Sequence, residues 1–312
     1  MDPMFGLPRA VALVIILGVV GLAAGAALWW DGQRAVAPTT VGRRALRHAA
    51  LTRVVATLLL VFGTVAIPVL NRYGGVLPGL VGRVAALLPT ASLLGFLALH
   101  AIGELTWPKP RGAERHARLV ARTTSDITTG RLYHAPIVWF AALAAVSLLF
   151  GVMASGPRSL SRVIDGYRAH TVGPFPGWLW TVPILVAAAA VLVVTELVLR
   201  LIASRPAVED VGEEWDMWLR RRAARSILRT VQLMLGLTLT GLVALAGLAL
   251  RWLGLGSGGG APAPVSQGYI TVGNMVLVLA LATAVAALVL ALWPARDPAP
   301  ASAGSEPAEA RA

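Results

Sequence analysis

Along this chain apolar residues come in long, nearly uninterrupted blocks separated by charged connections, in place of the period-3.6 or period-2 alternation of half-buried helices and strands. The blocks occupy residues 10–30, 54–70, 84–102, 135–154, 178–199, 230–250 and 270–293. A helix of about 20 residues rises about 30 Å, which matches the hydrocarbon thickness of a bilayer. The pattern therefore predicts an all-α transmembrane helical bundle of seven spans. The short alternating segments of a membrane barrel are not seen. One domain, residues 1–293, carries every span. The segment 294–312 (PARDPAPASAGSEPAEARA) has no apolar periodicity and is expected to be a disordered cytoplasmic tail.

The basic residues fall into alternate connections. Arg34, Arg43, Arg44, Arg47 and Arg53 lie in 31–53, and Lys109, Arg111, Arg115, Arg118, Arg122 and Arg131 lie in 103–134. Arg200, Arg205, Arg220, Arg221, Arg222, Arg225 and Arg229 lie in 200–229, and Arg296 and Arg311 in the tail. The opposite set holds only Arg9, Arg72, Arg83, Arg158, Arg162, Arg168 and Arg251. Cytoplasmic loops carry the excess of Lys and Arg, so the N-terminus is expected outside and the C-terminus in the cytoplasm. Trp29, Trp30, Trp107, Trp178, Trp180, Trp252 and Trp293 sit near span ends, where an indole rests at headgroup level.

Composition narrows the class further. The chain is 57% hydrophobic and 13% charged, whereas soluble domains are about 25% charged. Its net charge of +12 flanks apolar spans instead of forming a basic face interleaved with readers, so the expected partner is a bilayer with an anionic inner leaflet, not nucleic acid. The absence of cysteine excludes disulfides, thiolate nucleophiles and cysteine-ligated metals. Lys109, the single lysine, lies in a connection, which excludes a retinal Schiff base in a span. His48, His116 and His134 make no close metal-binding cluster, so no metal or other cofactor is expected. Gly254, Gly256 and Gly259 match GxGxxG but follow a span instead of a strand, and neither a Walker A nor a GxSxG motif occurs. Glu213-Glu214 lacks the HxxxN partner of an intramembrane protease. No catalytic residue is assigned.

Four polar residues near the inner ends of spans are the candidates for intramembrane function, because a charge in hydrocarbon costs at least about 2.5 kcal/mol. His100 and Glu104 are one helical turn apart, as are Glu196 and Arg200, so each pair is expected to satisfy itself locally. If the third and fifth spans touch, His100 and Glu196 can form a proton-coupled pair. In 200–229, acidic Glu209, Asp210, Glu213, Glu214 and Asp216 precede the arginines, and Trp215, Trp218, Leu219 and Arg222 recur at helical spacing. An interfacial helix running into the sixth span is expected. Trp215, Trp218, Arg220, Arg221 and Arg222 are its candidate docking surface for a cytoplasmic partner.

Gly18, Gly21 and Gly25 give the first span a small face for close helix packing, and Gly273, Ala280, Ala284, Ala287 and Ala291 do so for the last. Packing within the chain is the default use of such faces, and homodimerisation the other. Pro89 should kink the third span. Outside, residues 157–170 (PRSLSRVIDGYRAH) are expected to form a short amphipathic helix, and 254–264 a flexible connection.

The strings HAIGELTWPKPRGAERHARLV, PFPGW and RPAVEDVGEEWDMWLRRRAARSILRTVQLMLGLTL resemble segments of uncharacterised actinobacterial polytopic integral membrane proteins, over residues 40–253. The resemblance implies a bacterial plasma membrane and attaches no activity or site residue. The expected function is that of a small transporter-like protein or an accessory subunit of a membrane complex. The alternative is a membrane-embedded signalling module that docks a cytoplasmic partner through 200–229.

Overall fold

The computed structural model describes residues 39–66, 81–108, 122–209, 211–257 and 263–293. The first predicted span with Gly18, Gly21 and Gly25, the connection around Lys109 and the tail 294–312 lie outside the described residues. The elements are α1 (Thr40–Val61, continued by a π turn at Phe62–Ala66), α2 (Val81–Leu105), α3 (Thr124–Ile127), α4 (Gly130–Met153), β1 (Leu160–Asp165), β2 (Arg168–Val172), α5 (Trp178–Ser204), α6 (Glu213–Leu255) and α7 (Gln267–Leu292). Among the described residues six helices, all but α3, are long and apolar enough to cross a membrane.

Local chemistry sets the helix ends. Thr39 caps α1 by accepting a hydrogen bond from the Gly42 amide at 3.0 Å. Thr123 and Asp126 form a capping box on α3. α6 starts with Glu213, Glu214 and Asp216 in its first turn, where carboxylates oppose the positive end of the helix dipole. It ends at Gly256, whose φ of 64° places it in the left-handed region that lets the last carbonyls be capped. Pro89, Pro136 and Pro183 all lie inside helices.

α6 is the axis of the molecule. It packs against α2, α4, α5, α7 and both strands. Its 43 residues make a rod about 64 Å long, twice the hydrocarbon thickness, so the turns that carry Trp215 to Arg229 stand beyond the apolar part. The main core joins Leu93, Phe96 and Leu97 of α2, Leu143 and Phe150 of α4, Ile184, Val191 and Leu199 of α5, and the α6 stripe from Ile227 to Leu253. A separate small core of Ala45, Trp107, Val208, Trp215 and Leu219 lies at the end where the arginines gather.

α6 and α7 run side by side with glycines at the closest approach. A Cβ on Gly254 would stand 2.6 Å from the Ile270 amide nitrogen, and one on Gly273 would stand 2.7 Å from that of Arg251. Gly273, Ala280, Ala287 and Ala291 are buried on this seam, so the small face of the last span is used within the chain. Gly254, placed by the sequence pattern in a flexible connection, is instead a packed helical residue. The Ser266 amide donates to its carbonyl at 2.7 Å.

The segment expected as a short outer helix is an antiparallel hairpin. Leu160 pairs with Val172 and Arg162 with His170, with an irregularity between Val163 and Asp165. Gly166 turns the chain at φ 42°, a conformation that a helix could not contain. Leu160, Val172 and Phe175 are buried under the hairpin, and Phe175 meets Phe150 edge-on with ring centroids 5.8 Å apart. Tertiary burial of those three side chains outweighed the weak helical pattern. The hairpin thus closes one end of an otherwise helical bundle.

Candidate functional site

The arginine-rich connections meet at the opposite end, and charged side chains hold them together there. Arg220 lies on α6 with its side chain fully buried, and all five of its donors are used. Nε donates to Asp216 Oδ2 at 2.8 Å, Nη1 to the carbonyls of Ile202 at 2.6 Å and Ala203 at 3.0 Å, and Nη2 to those of Arg205 at 2.9 Å and Pro206 at 3.3 Å. The carbonyls of the last turn of a helix have no partner in that helix and carry its negative dipole end. Pro206 stops α5, and Arg220 supplies the cation and the hydrogen bonds that its terminus needs. Arg122, from the segment before α3, approaches Asp216 Oδ2 at 3.8 Å and Glu213 Oε1 at 3.7 Å.

A second pair lies alongside. Arg205 Nη1 donates to Glu104 Oε2 at 3.2 Å, with both side chains buried. The guanidinium stacks over the Trp107 ring at 3.8 Å from its centroid, so the indole face serves as partner where no carboxylate reaches. Burial pulls the Arg205 guanidinium below its usual pKa, and the Glu104 carboxylate opposes that shift. Trp107 meets His48 edge-on, and His48 Nε2 donates to the Gly103 carbonyl at 2.8 Å. These contacts tie α1 to α2, α2 to the end of α5, and α5 to α6.

The sequence-based candidates are redistributed by this geometry. Glu104 pairs with Arg205, not with His100. His100 is buried against Phe96, ring centroids 4.6 Å apart. Glu196 does bind Arg200, at 2.7 Å, and also accepts from the Tyr133 hydroxyl of α4 at 3.1 Å. No hydrogen bond or ion pair between His100 and Glu196 is found among the described residues. Of the proposed docking residues, Arg220, Arg222 and Trp215 are buried, Trp218 is half-buried beneath Arg222 at 5.1 Å, and Arg221 is exposed. The reason is that the start of α6 packs against α1 and α5 instead of lying on a membrane surface. Trp107 is likewise buried and not an interfacial anchor.

In the sequence alone, Arg205 and Arg122 counted only as charges of the connections and Asp216 only as one of the acids before the arginines, and none of them was a candidate site residue. The i,i+4 spacing of Asp216 and Arg220 was visible, with the acid first. That the pair would be buried depended on the α5 carbonyls folding back over it. As chemistry, the cluster is a clamp: its donors point at main-chain carbonyls and at carboxylates of the same chain.

Comparison of the chain with family models, with curated proteins and with solved structures finds no match. The fold itself defines the class, a membrane-embedded helical bundle.

Proposed function

We propose that this chain is a seven-span bacterial plasma-membrane protein, N-terminus outside and C-terminus cytoplasmic, acting as an accessory subunit of a membrane complex. By resemblance the source is actinobacterial. The observation that carries the reading is α6, unbroken from the charged clamp at Glu213 through the bundle to Leu255. A rigid rod of that kind makes the arginine-rich layer and the apolar bundle one body, which suits holding a partner in fixed register. Arg43, Arg44, Arg47 and Arg221 are exposed on that layer and are the residues available for contact. A mild-detergent pull-down should bring down a stoichiometric partner that charge reversal at Arg43, Arg44 and Arg47 removes. A partner-free chain that is unchanged by the reversal would refute the reading. Because the chain has no cysteine, Arg44→Cys tests the orientation directly. It should resist an impermeant maleimide in intact cells and react after lysis.

A further inference from the structure

α7 packs principally on α6, and most of its circumference faces away from the bundle. On that outward face its first two turns differ from the rest. Gln267, Thr271 and Asn274 recur at steps of four and three residues, which puts them on one side of the helix, and all three are exposed. The apolar block begins at residue 270, so Asn274 stands about 6 Å inside the edge of the hydrocarbon at the rise of a helix. From Met275 to Leu292 no exposed residue of α7 is a hydrogen-bonding one. The polar groups on the lipid-facing side are thus gathered in one short stretch next to the hairpin end.

The fold leaves these groups without partners. No hydrogen bond from the side chains of Gln267, Thr271 or Asn274 is found among the described residues. Threonines elsewhere in the long helices turn back on the carbonyl four residues earlier, as Thr195, Thr230, Thr238 and Thr240 do at distances between 2.7 and 3.0 Å. Thr271 makes no such bond. Hydrocarbon offers neither donor nor acceptor, so an amide held in it costs free energy that a polar group on a second helix recovers. The first predicted span has no hydrogen-bonding side chain from Ala10 to Leu28, so it does not bring the missing group. A second copy of the chain does. All copies insert in one orientation, so a twofold axis along the membrane normal sets α7 parallel to its copy, with Asn274 at equal depth in both. A carboxamide carries donors and an acceptor together, which makes it complementary to itself.

We propose that two copies of this chain associate in the membrane through the first two turns of α7, with Asn274 pairing with Asn274 across the axis and Thr271 and Gln267 following it toward the surface. Further along α7 nothing polar requires a partner, and Val278 and Leu281 keep their lipid. The interface depends on membrane embedding and not on the accessory-subunit reading, and its test uses the purified full chain alone. Because the chain has no cysteine, Val163→Cys, exposed on the hairpin, takes a donor dye on half of the molecules and an acceptor dye on the other half. Energy transfer is then followed as the protein is diluted into vesicles of phosphatidylethanolamine and phosphatidylglycerol. Transfer should fall along a monomer-dimer curve. Asn274→Leu should weaken association about tenfold, the loss of one interhelical hydrogen-bonded pair. Asn274→Gln should retain most of it. Leu279→Ala, about 140° around the helix from Asn274, should leave it unchanged. Because Asn274 is exposed, its variants keep the fold, which helicity by circular dichroism verifies. Absence of transfer at every dilution, or the same curve for the wild type and Asn274→Leu, overturns the interface. Capture of a different membrane protein by Asn274, with no transfer between copies, overturns the second copy as its occupant.

Discussion

α6 and α7 lie against each other, yet their side chains are distributed in opposite ways. α7 is the more apolar of the two, and only 17% of its apolar window is buried, against 67% for α6. In a soluble protein the more apolar helix would be the inner one. Here lipid tails solvate Val278, Leu279 and Leu281 as well as other side chains would, so apolarity no longer selects burial. On α7 smallness selects it, with Gly273, Ala280, Ala287 and Ala291 inward, whereas α6 is buried along its apolar stripe because α2, α4, α5 and α7 all pack on it. The axis of this protein is therefore its less apolar helix.

The sharpest way to break that contrast is at the clamp. Arg220→Met leaves the terminal α5 carbonyls buried without their cation and Asp216 with only the more distant Arg122, and loss of one partner of a buried pair costs about 3–5 kcal/mol. Denaturant unfolding in detergent should show the loss. Arg220→Lys should recover only part of it, since three donors replace five. A wild-type unfolding midpoint for either variant would mean that the clamp contributes nothing to the fold.

Next in size is a charge on the outer face of α7. Leu281→Arg puts a guanidinium at mid-span and should cost about 2.5–3.5 kcal/mol in membrane insertion, read as a fall in the inserted fraction. If the variant inserts normally, Leu281 faces something other than hydrocarbon. At the seam, Gly273→Val pushes a side chain into the Arg251 backbone and should cost about 1–3 kcal/mol by overpacking. The smallest effect sharpens the same point. Leu281→Ala, which in an aqueous core would cost about 2–5 kcal/mol, should change stability by less than about 0.5 kcal/mol because the leucine exchanges lipid contacts for lipid contacts. A core-sized loss there would place a packing partner on α7.

Among the described residues, the arginine-rich connections do meet at one end. Gly42 of α1 meets Trp215, His48 reaches Gly103, Arg205 reaches Glu104 and Arg229 donates to the Trp293 carbonyl. That grouping was legible because helix length and up-down connectivity leave only two ends to occupy. The hairpin at 160–172 was not legible. Its strands alternate weakly, and its register comes from Leu160, Val172 and Phe175 finding the bundle end. The Glu104–Arg205 pair was not legible either: local spacing pointed to His100 as the partner of Glu104, and Arg205 comes from another element.

By itself, then, the amino-acid order determined that the chain builds long apolar helices and which connections share a side, because hydrocarbon thickness and charge exclusion act on each segment separately. Which arginines disappear inside was decided only by tertiary structure. A guanidinium can be buried where five acceptors converge, and the acceptors around Arg220 come from α5, its following turn and α6 together. No single segment contains that set, so no reading of one segment could have found it.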